Sequence, residues 1–361
     1  MSTQVQKEKK KKSKKKIILI VLGVIAALAA VVILAGILIF KHYYGMLDYQ
    51  AFDHEKWVPV LEEEVEEEPL IEEASEKEVQ SLEETLLANL EGMKDSEALS
   101  ADVFNILLIG VDSRKDSFAG RSDSMILFSI NQKTNKVIMT SFLRDIYVSI
   151  PEHGFNRLNA AYAYGGTSLL TDTIEQNFGI SVDRCMVINF YLVMEFVDAI
   201  NGVDIDLSGD EIRVMNNYIA HHNKLLGQDK NTDLISPKSE KTYHLNGNQA
   251  LAYARVRYVG TDFARTGRQR TIIMLALEKV KKMNLGEMNE LLIDFLPKVR
   301  TDLTEGDCAN LLLMLLDVGK YSIESMAIPV DGTWSNMNVN KMAVLKVDFS
   351  ANTQEWYNKV N

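Results

Sequence analysis

Five arginines fall within sixteen residues of the stretch Ala250–Arg270: Arg255, Arg257, Arg265, Arg268 and Arg270, with Asp262 the one acid among them. A guanidinium presents parallel N–H donors and never loses its charge, so such a cluster is suited to gripping phosphate. The competing reading is a solvated basic helix, the usual fate of a charge run. Helical phase favours the anion site. If a helix starts at Asp262 as N-cap, then Arg265, Gln269, Ile273, Ala276 and Val280 share one face. Arg265 and Gln269 then continue an apolar stripe and point inward, near a helix start whose dipole favours an anion, while Arg270 is turned away.

A second charged group lies upstream. Val103–Val111 is an almost unbroken apolar run ending in Asp112, and Met125–Ile130 and Lys136–Leu143 read as further strands around the turn signal Gln132–Asn135. A hairpin bent at residues 133–134 sets position 123 opposite 144, making Asp123 and Arg144 cross-strand neighbours. Antiparallel pairing of the first two strands brings Asp112 and Arg121 to the same edge, beside Asp145. Arg157 and Asn159 are within reach of it. Two carboxylates among arginines suit a Mg²⁺ (or Mn²⁺) ion held between protein and phosphate oxygens, and a surface salt-bridge network equally well.

The elements that must position these groups alternate. Residues 157–164 and Thr167–Phe178 read as helices about the Gly165-Gly166 turn, Met186–Asn189 as a strand, Phe190–Ile200 as an apolar helix and Val203–Leu207 as a strand. Asn246 and Gln249 form a capping-box pattern opening the helix that delivers Arg255 and Arg257. Ser208–Thr242 is the least legible part, expected as a surface insertion with one helix over Asp210–Leu226. Helices over Glu287–Leu296 and Gly306–Tyr321 and a strand over Ser325–Ile328 complete the pattern. The fold class expected is α/β, a layered domain with a central mixed β-sheet flanked by helices.

Charge divides the chain further. Residues 1–16 carry +7, residues 53–97 carry −14, and residues 98–361 only −4, which argues against general nucleic-acid binding. Ile17–Phe40 is 24 residues without charge or proline, about 36 Å as a helix and enough to span a bilayer. The expected organisation is therefore a cytoplasmic basic tail (1–16), a transmembrane anchor (17–40), an acidic extracellular stalk (41–102) and an extracellular catalytic domain (103–361) on the cell membrane. Cys185 and Cys308 are expected unpaired, and His221–His222 as a surface pair.

The segments NILLIGVDSR, RSDSMILFSIN, SFLRD, NRLNAAYAYGG, INFYLVMEFVDAINGVDIDL, LNGNQALAYARVR and DFARTGRQR occur in the order found in LytR-CpsA-Psr proteins, which this chain resembles from Val103 to about Ile273, with IPVDGTW as a family-like tail. The resemblance implies an enzyme that moves an anionic glycopolymer, such as teichoic acid or capsule, from a polyprenyl pyrophosphate carrier to peptidoglycan. It assigns Asp112 and Asp123 to the metal. Arg121, Arg144, Arg157, Arg255, Arg257, Arg265 and Gln269, with Asn159 beside them, fall to the pyrophosphate. Asp112, Asp123, Arg144, Arg255 and Arg257 form the expected catalytic set. Leu143 stands where many relatives have Pro, and Ala264 where Gly is common. Three other readings compete: a cell-envelope regulator, a carrier-binding or carrier-hydrolysing protein without ligase activity, and a glycosyltransferase using Asp204-x-Asp206.

Overall fold

The computed structural model describes residues 31–52, 72–94, 103–112, 118, 120–238, 241–257, 261–316 and 320–361. Its centre is the apolar run seen in the sequence. Strand β2 (Val103–Val111) is covered on both faces, pairs antiparallel with β3 (Ser122–Asn131) and parallel with β7 (Arg184–Asn189). The Gln132–Asn135 turn folds β3 onto β4 (Lys136–Phe142) with Ile126 opposite Ser141, the register that carries Asp123 to Arg144. β1 (Asp48–Tyr49), β10 (Arg300–Thr301) and β11 (Ser322–Ile328) complete a seven-stranded mixed sheet in the order β1-β10-β7-β2-β3-β4-β11.

Helices flank both faces. On one side α3 (Leu158–Phe178) and α10 (Phe349–Val360) pack over Leu107, Ile109, Phe142, Phe178 and Trp356. Gly166, at φ +65°, turns the chain sharply inside α3, a backbone region open mainly to glycine. On the other side α9 (Glu305–Leu316) lays Leu311 and Met314 against Ile106, Ile130 and Val137. A second core joins α4 (Phe190–Ala199), α5 (Gly209–Leu225), α6 (Gly247–Arg255), α7 (Asp262–Val280) and α8 (Leu285–Phe295) beside the hairpin of β8 (Val203–Asp206) and β9 (Thr242–Leu245).

Three expectations change. Part of the stalk belongs to the domain: β1 joins the sheet, and α2 (Glu76–Lys94) buries Leu82 and Leu86 in the main core. Leu82 and Leu86 recur at helical spacing, and the partner of their stripe lies far along the chain. Ser208–Thr242 is no surface insertion either, because α5 buries Ile212, Met215 and Ile219 and packs on α6. The domain is closed by hairpins the sequence did not suggest, β5 (Tyr147–Ile150) with β6 (Gly154–Arg157) and β12 (Trp334–Val339) with β13 (Met342–Val347). Of the expected anchor, residues 17–30 lie outside the described residues. Residues 31–44 form helix α1 with Val31, Val32, Ile33 and Leu34 exposed, and among the described residues no helix is long and apolar enough to cross a membrane.

Candidate active site

The strand ends meet as the hairpin arithmetic requires. Arg144 NH1 donates to Asp123 Oδ1 at 2.7 Å, with the arginine side chain only 4% exposed. Its Nε lies 3.6 Å from Asp145 Oδ1, and Arg157 Nε approaches the same oxygen at 3.5 Å while donating to the Ala343 carbonyl at 2.9 Å. The Asn159 backbone N–H donates to the Arg144 carbonyl at 3.2 Å, so Asn159 holds the backbone of this group from behind.

The arginine cluster arrives on α6 and α7. The Asn246–Gln249 capping box opens α6 as expected. At Gly247 a Cβ would sit 2.0 Å from the Met194 carbonyl oxygen, so only glycine lets α6 press against α4. At the far end Arg255 NH2 donates to Asp112 Oδ2 at 2.9 Å, its guanidinium over the Phe190 and Tyr218 rings at 5.2 and 5.6 Å. On α7, whose N-cap is Thr261 and not Asp262, Arg265 is 3% exposed and pairs with Asp262. Gln269 Oε1 accepts from Ser124 Oγ at 3.1 Å.

Between these groups lies a cavity of about 1050 Å³. Its lining includes the apolar side chains of Leu108, Ile126, Ile188, Phe190, Val193 and Ile272. The same lining carries Arg144, Arg157, Arg255, Arg257 and Arg265 with Asp123, Asp145, Asp262 and Gln269. The unforeseen β12–β13 hairpin adds Trp334, Asn336 and Leu345, and the Trp334 ring packs tilted against Phe263 with centroids 5.1 Å apart.

Not every expected residue reaches the wall. Arg121 and Asn159 are absent from the described lining, and Asp112 meets it through Arg255. Arg268 instead ties α7 to Glu211 at 3.0 Å and to the Val256 carbonyl. Arg270 is absent from the described lining, and it is half-buried, donating to Ser141 Oγ at 2.6 Å. Asp204 and Asp206 are exposed and bonded to His244 and Thr242, so a solvated strand end accounts for them. His222 corrects the surface-pair expectation: it is 4% exposed, with Nδ1 2.8 Å from Asn248 Oδ1 and Nε2 3.4 Å from Arg255 NH1. Both cysteines are free.

Electrostatics separates the two acids. Burial pushes the Asp123 carboxyl up, but Arg144, Arg265 and Arg257 outweigh it and hold it down at about 2. Asp112 is raised, by burial first, against the pull of Arg255 and with the Asp123 charge adding to the rise. The two carboxylates therefore feel one another across the site. Burial also lowers Arg265, with Asp262 opposing. His222 is held down at about 4, chiefly by burial and further by Arg255 and His221.

Comparison with known proteins places this geometry. A model described as the LytR_cpsA_psr family matches residues 68–358. The polyisoprenyl-teichoic acid–peptidoglycan teichoic acid transferase TagT of Bacillus subtilis (strain 168) is 31% identical over 187 residues, 51% of this chain and 54% of TagT. The transferase TagU of Enterococcus faecalis (strain ATCC 700802 / V583) is 32% identical over 216 residues, 58% of this chain and 65% of TagU. The chain thus spans between about half and two-thirds of these relatives' lengths. The solved structure of TagT bound to LIIa-WTA matches at TM-score 0.56 and 26% identity, covering 74% of this chain and 92% of that one.

Proposed function

The chain belongs to the LytR-CpsA-Psr family, and from that premise we propose that it transfers an anionic glycopolymer from a polyprenyl diphosphate carrier to peptidoglycan. The observation that carries the proposal is one cavity lined both by apolar side chains and by five arginines. A polyprenyl diphosphate offers an apolar tail and a charged head to such a lining. Support comes also from the names of TagT and TagU and from the structure of TagT bound to LIIa-WTA.

In the reaction an acceptor hydroxyl of peptidoglycan attacks the polymer-side phosphorus, and its proton ends on the departing monophosphate. The bond from that phosphorus to the bridging oxygen breaks, and the carrier leaves as polyprenyl monophosphate. Negative charge grows on the bridging oxygen. Arg144, Arg255 and Arg265 line the cavity and are held by Asp123, Asp112 and Asp262 before the substrate arrives, so they stabilise that charge without reorganising, and Arg257 lines the same cavity. Leu108, Ile126 and Ile188 take the start of the isoprenoid and keep water from that side.

Asp112 and Asp123 would supply two carboxylates to a divalent cation, each now paired to an arginine, Arg255 and Arg144. The remaining ligands would be phosphate oxygens and water, the set Mg²⁺ (or Mn²⁺) prefers. Bound there, the ion would draw charge from the phosphoryl oxygens. In the same reading residues 17–40 anchor the chain, N-terminus inside, and place the domain outside the cell membrane beside its lipid-linked substrate.

Full-length protein in detergent, given a polyprenyl diphosphate-linked oligosaccharide and a peptidoglycan oligomer, is expected to yield a covalent conjugate and polyprenyl monophosphate, both abolished by chelator. Release of the oligosaccharide phosphate without conjugate would establish hydrolysis instead. Intact carrier would overturn the reading.

A further inference from the structure

One buried polar chain reaches the cavity-lining Arg255 from the segment Ser208–Thr242. Asn223 Nδ2 donates to the carbonyls of Lys230 and Thr232 at 3.3 and 2.7 Å. Backbone carbonyls only accept, so the nitrogen of this amide must face the loop and its oxygen must face Asn248. Asn223 Oδ1 accordingly accepts from Asn248 Nδ2 at 2.8 Å. That turns Asn248 Oδ1 toward His222 Nδ1, 2.8 Å away. An amide oxygen opposite Nδ1 requires the hydrogen to be on Nδ1. In a neutral ring the lone pair is then on Nε2, and Nε2 faces Arg255 NH1 at 3.4 Å. The opposite ring orientation would put carbon at both contacts. Asn223, Asn248 and His222 are each at most 5% exposed, so water does not compete for these bonds.

We infer that His222, fixed as the neutral Nδ1-H tautomer by Asn248, Asn223 and the loop carbonyls of Lys230 and Thr232, is a positioning residue that holds the Arg255 guanidinium for the diphosphate. A guanidinium over Phe190 and Tyr218 is free to slide in the ring planes. The Nε2 acceptor on one side and Asp112 on the other fix its rotation as well. The arrangement depends on a neutral ring, since an imidazolium would present a proton and a like charge to Arg255. Burial, Arg255 and His221 all keep the ring neutral. This also gives the 208–242 segment a role, because its loop supplies the carbonyls that set every later donor and acceptor. The functional half of the inference rests on the reading of the cavity as a diphosphate site; the tautomer does not.

The test uses full-length protein labelled with ¹⁵N-histidine, the His222 signals being identified by their loss in His222→Gln. Two-bond ¹H–¹⁵N spectra are expected to show a protonated Nδ1 and an unprotonated Nε2 for His222, unchanged from pH 8 to pH 5.5. A protonated Nε2, or a ring titrating near the ordinary histidine value, overturns the inference. In parallel, titration with farnesyl diphosphate and Mg²⁺, at a temperature where every variant is folded, is expected to show about tenfold weaker binding for His222→Phe, with most of the loss restored in His222→Gln, whose amide oxygen can again accept from Arg255. Wild-type affinity in His222→Phe alongside a loss in Arg255→Ala overturns the relay and leaves the site reading standing. Wild-type affinity in both removes the site reading, and the tautomer alone then decides the relay.

Discussion

Asp123 and Asp112 end neighbouring strands, and each faces an arginine, yet they are held in opposite ways. Asp123 is 12% exposed against an Arg144 that is 4% exposed, and three arginines keep its carboxyl at about 2. Asp112 is 31% exposed against an Arg255 that is 24% exposed, and its pKa is raised, not lowered. The Asp123 end is a buried framework of fixed charge, whereas the Asp112 end is open and its arginine is held by a neutral histidine and two aromatic rings. Family resemblance assigns the two acids one role, but the surroundings give Asp123 a structural duty that Asp112 lacks.

The sharpest way to break this contrast is to remove each acid. Asp123→Ala leaves Arg144 buried without its closest carboxylate, and by the behaviour of broken buried pairs it is expected to cost about 3–5 kcal/mol in urea unfolding. Asp112→Ala is expected to cost no more than about 1 kcal/mol, because its pair is partly solvated. Both are expected to lose transfer activity. Equal stabilities would remove the distinction between the two ends.

The two ends should also separate by pH. The folded His222 pKa lies below the unfolded value of 6.5, at about 4, so the unfolded chain takes up a proton first and stability falls as pH drops through that window, levelling below it. By linkage the loss is roughly 3 kcal/mol at most. It is expected in the wild type and absent in His222→Gln, read from unfolding midpoints across pH. The Asp123 contribution persists until pH falls from 3.8 toward 2, outside that window. An identical pH dependence in both proteins would contradict the burial of a neutral ring.

Smaller effects bear on binding. Arg255→Ala removes a charge-assisted contact worth about 1.5–3 kcal/mol, so farnesyl diphosphate is expected to bind at least tenfold more weakly, and Arg255→Lys to recover only part, since an ammonium lacks the fork. Arg121→Ala, off the described cavity wall, is expected to change affinity by about twofold or less. A tenfold loss there would return Arg121 to the site.

The Asp123 end was the legible one. Its pairing follows from the position of a single turn, and β3–β4 register needs no tertiary information. Helical phase likewise placed Arg265 and Gln269 on the inner face of α7. Composition could not sort the five arginines, because the partners that make Arg268 and Arg270 structural, Glu211 and Ser141, lie 57 and 129 residues away. His222 was illegible for the same reason. A histidine on a polar stretch looks solvated until α5 is known to pack on α6 and the Lys230–Thr232 loop to fold beneath it. The β12–β13 hairpin went unseen as well, and with it Trp334 and Asn336 at the cavity wall.

The central claim is that one cavity grips an isoprenoid and a diphosphate together. Calorimetric titration of the full-length protein with farnesyl diphosphate, farnesyl monophosphate and inorganic pyrophosphate, each with Mg²⁺, tests it directly. Farnesyl diphosphate is expected to bind at least tenfold more tightly than either of the others, and Arg265→Ala to erase most of that advantage over the monophosphate. Pyrophosphate binding as tightly as farnesyl diphosphate, or equal binding of the mono- and diphosphate, would contradict the account.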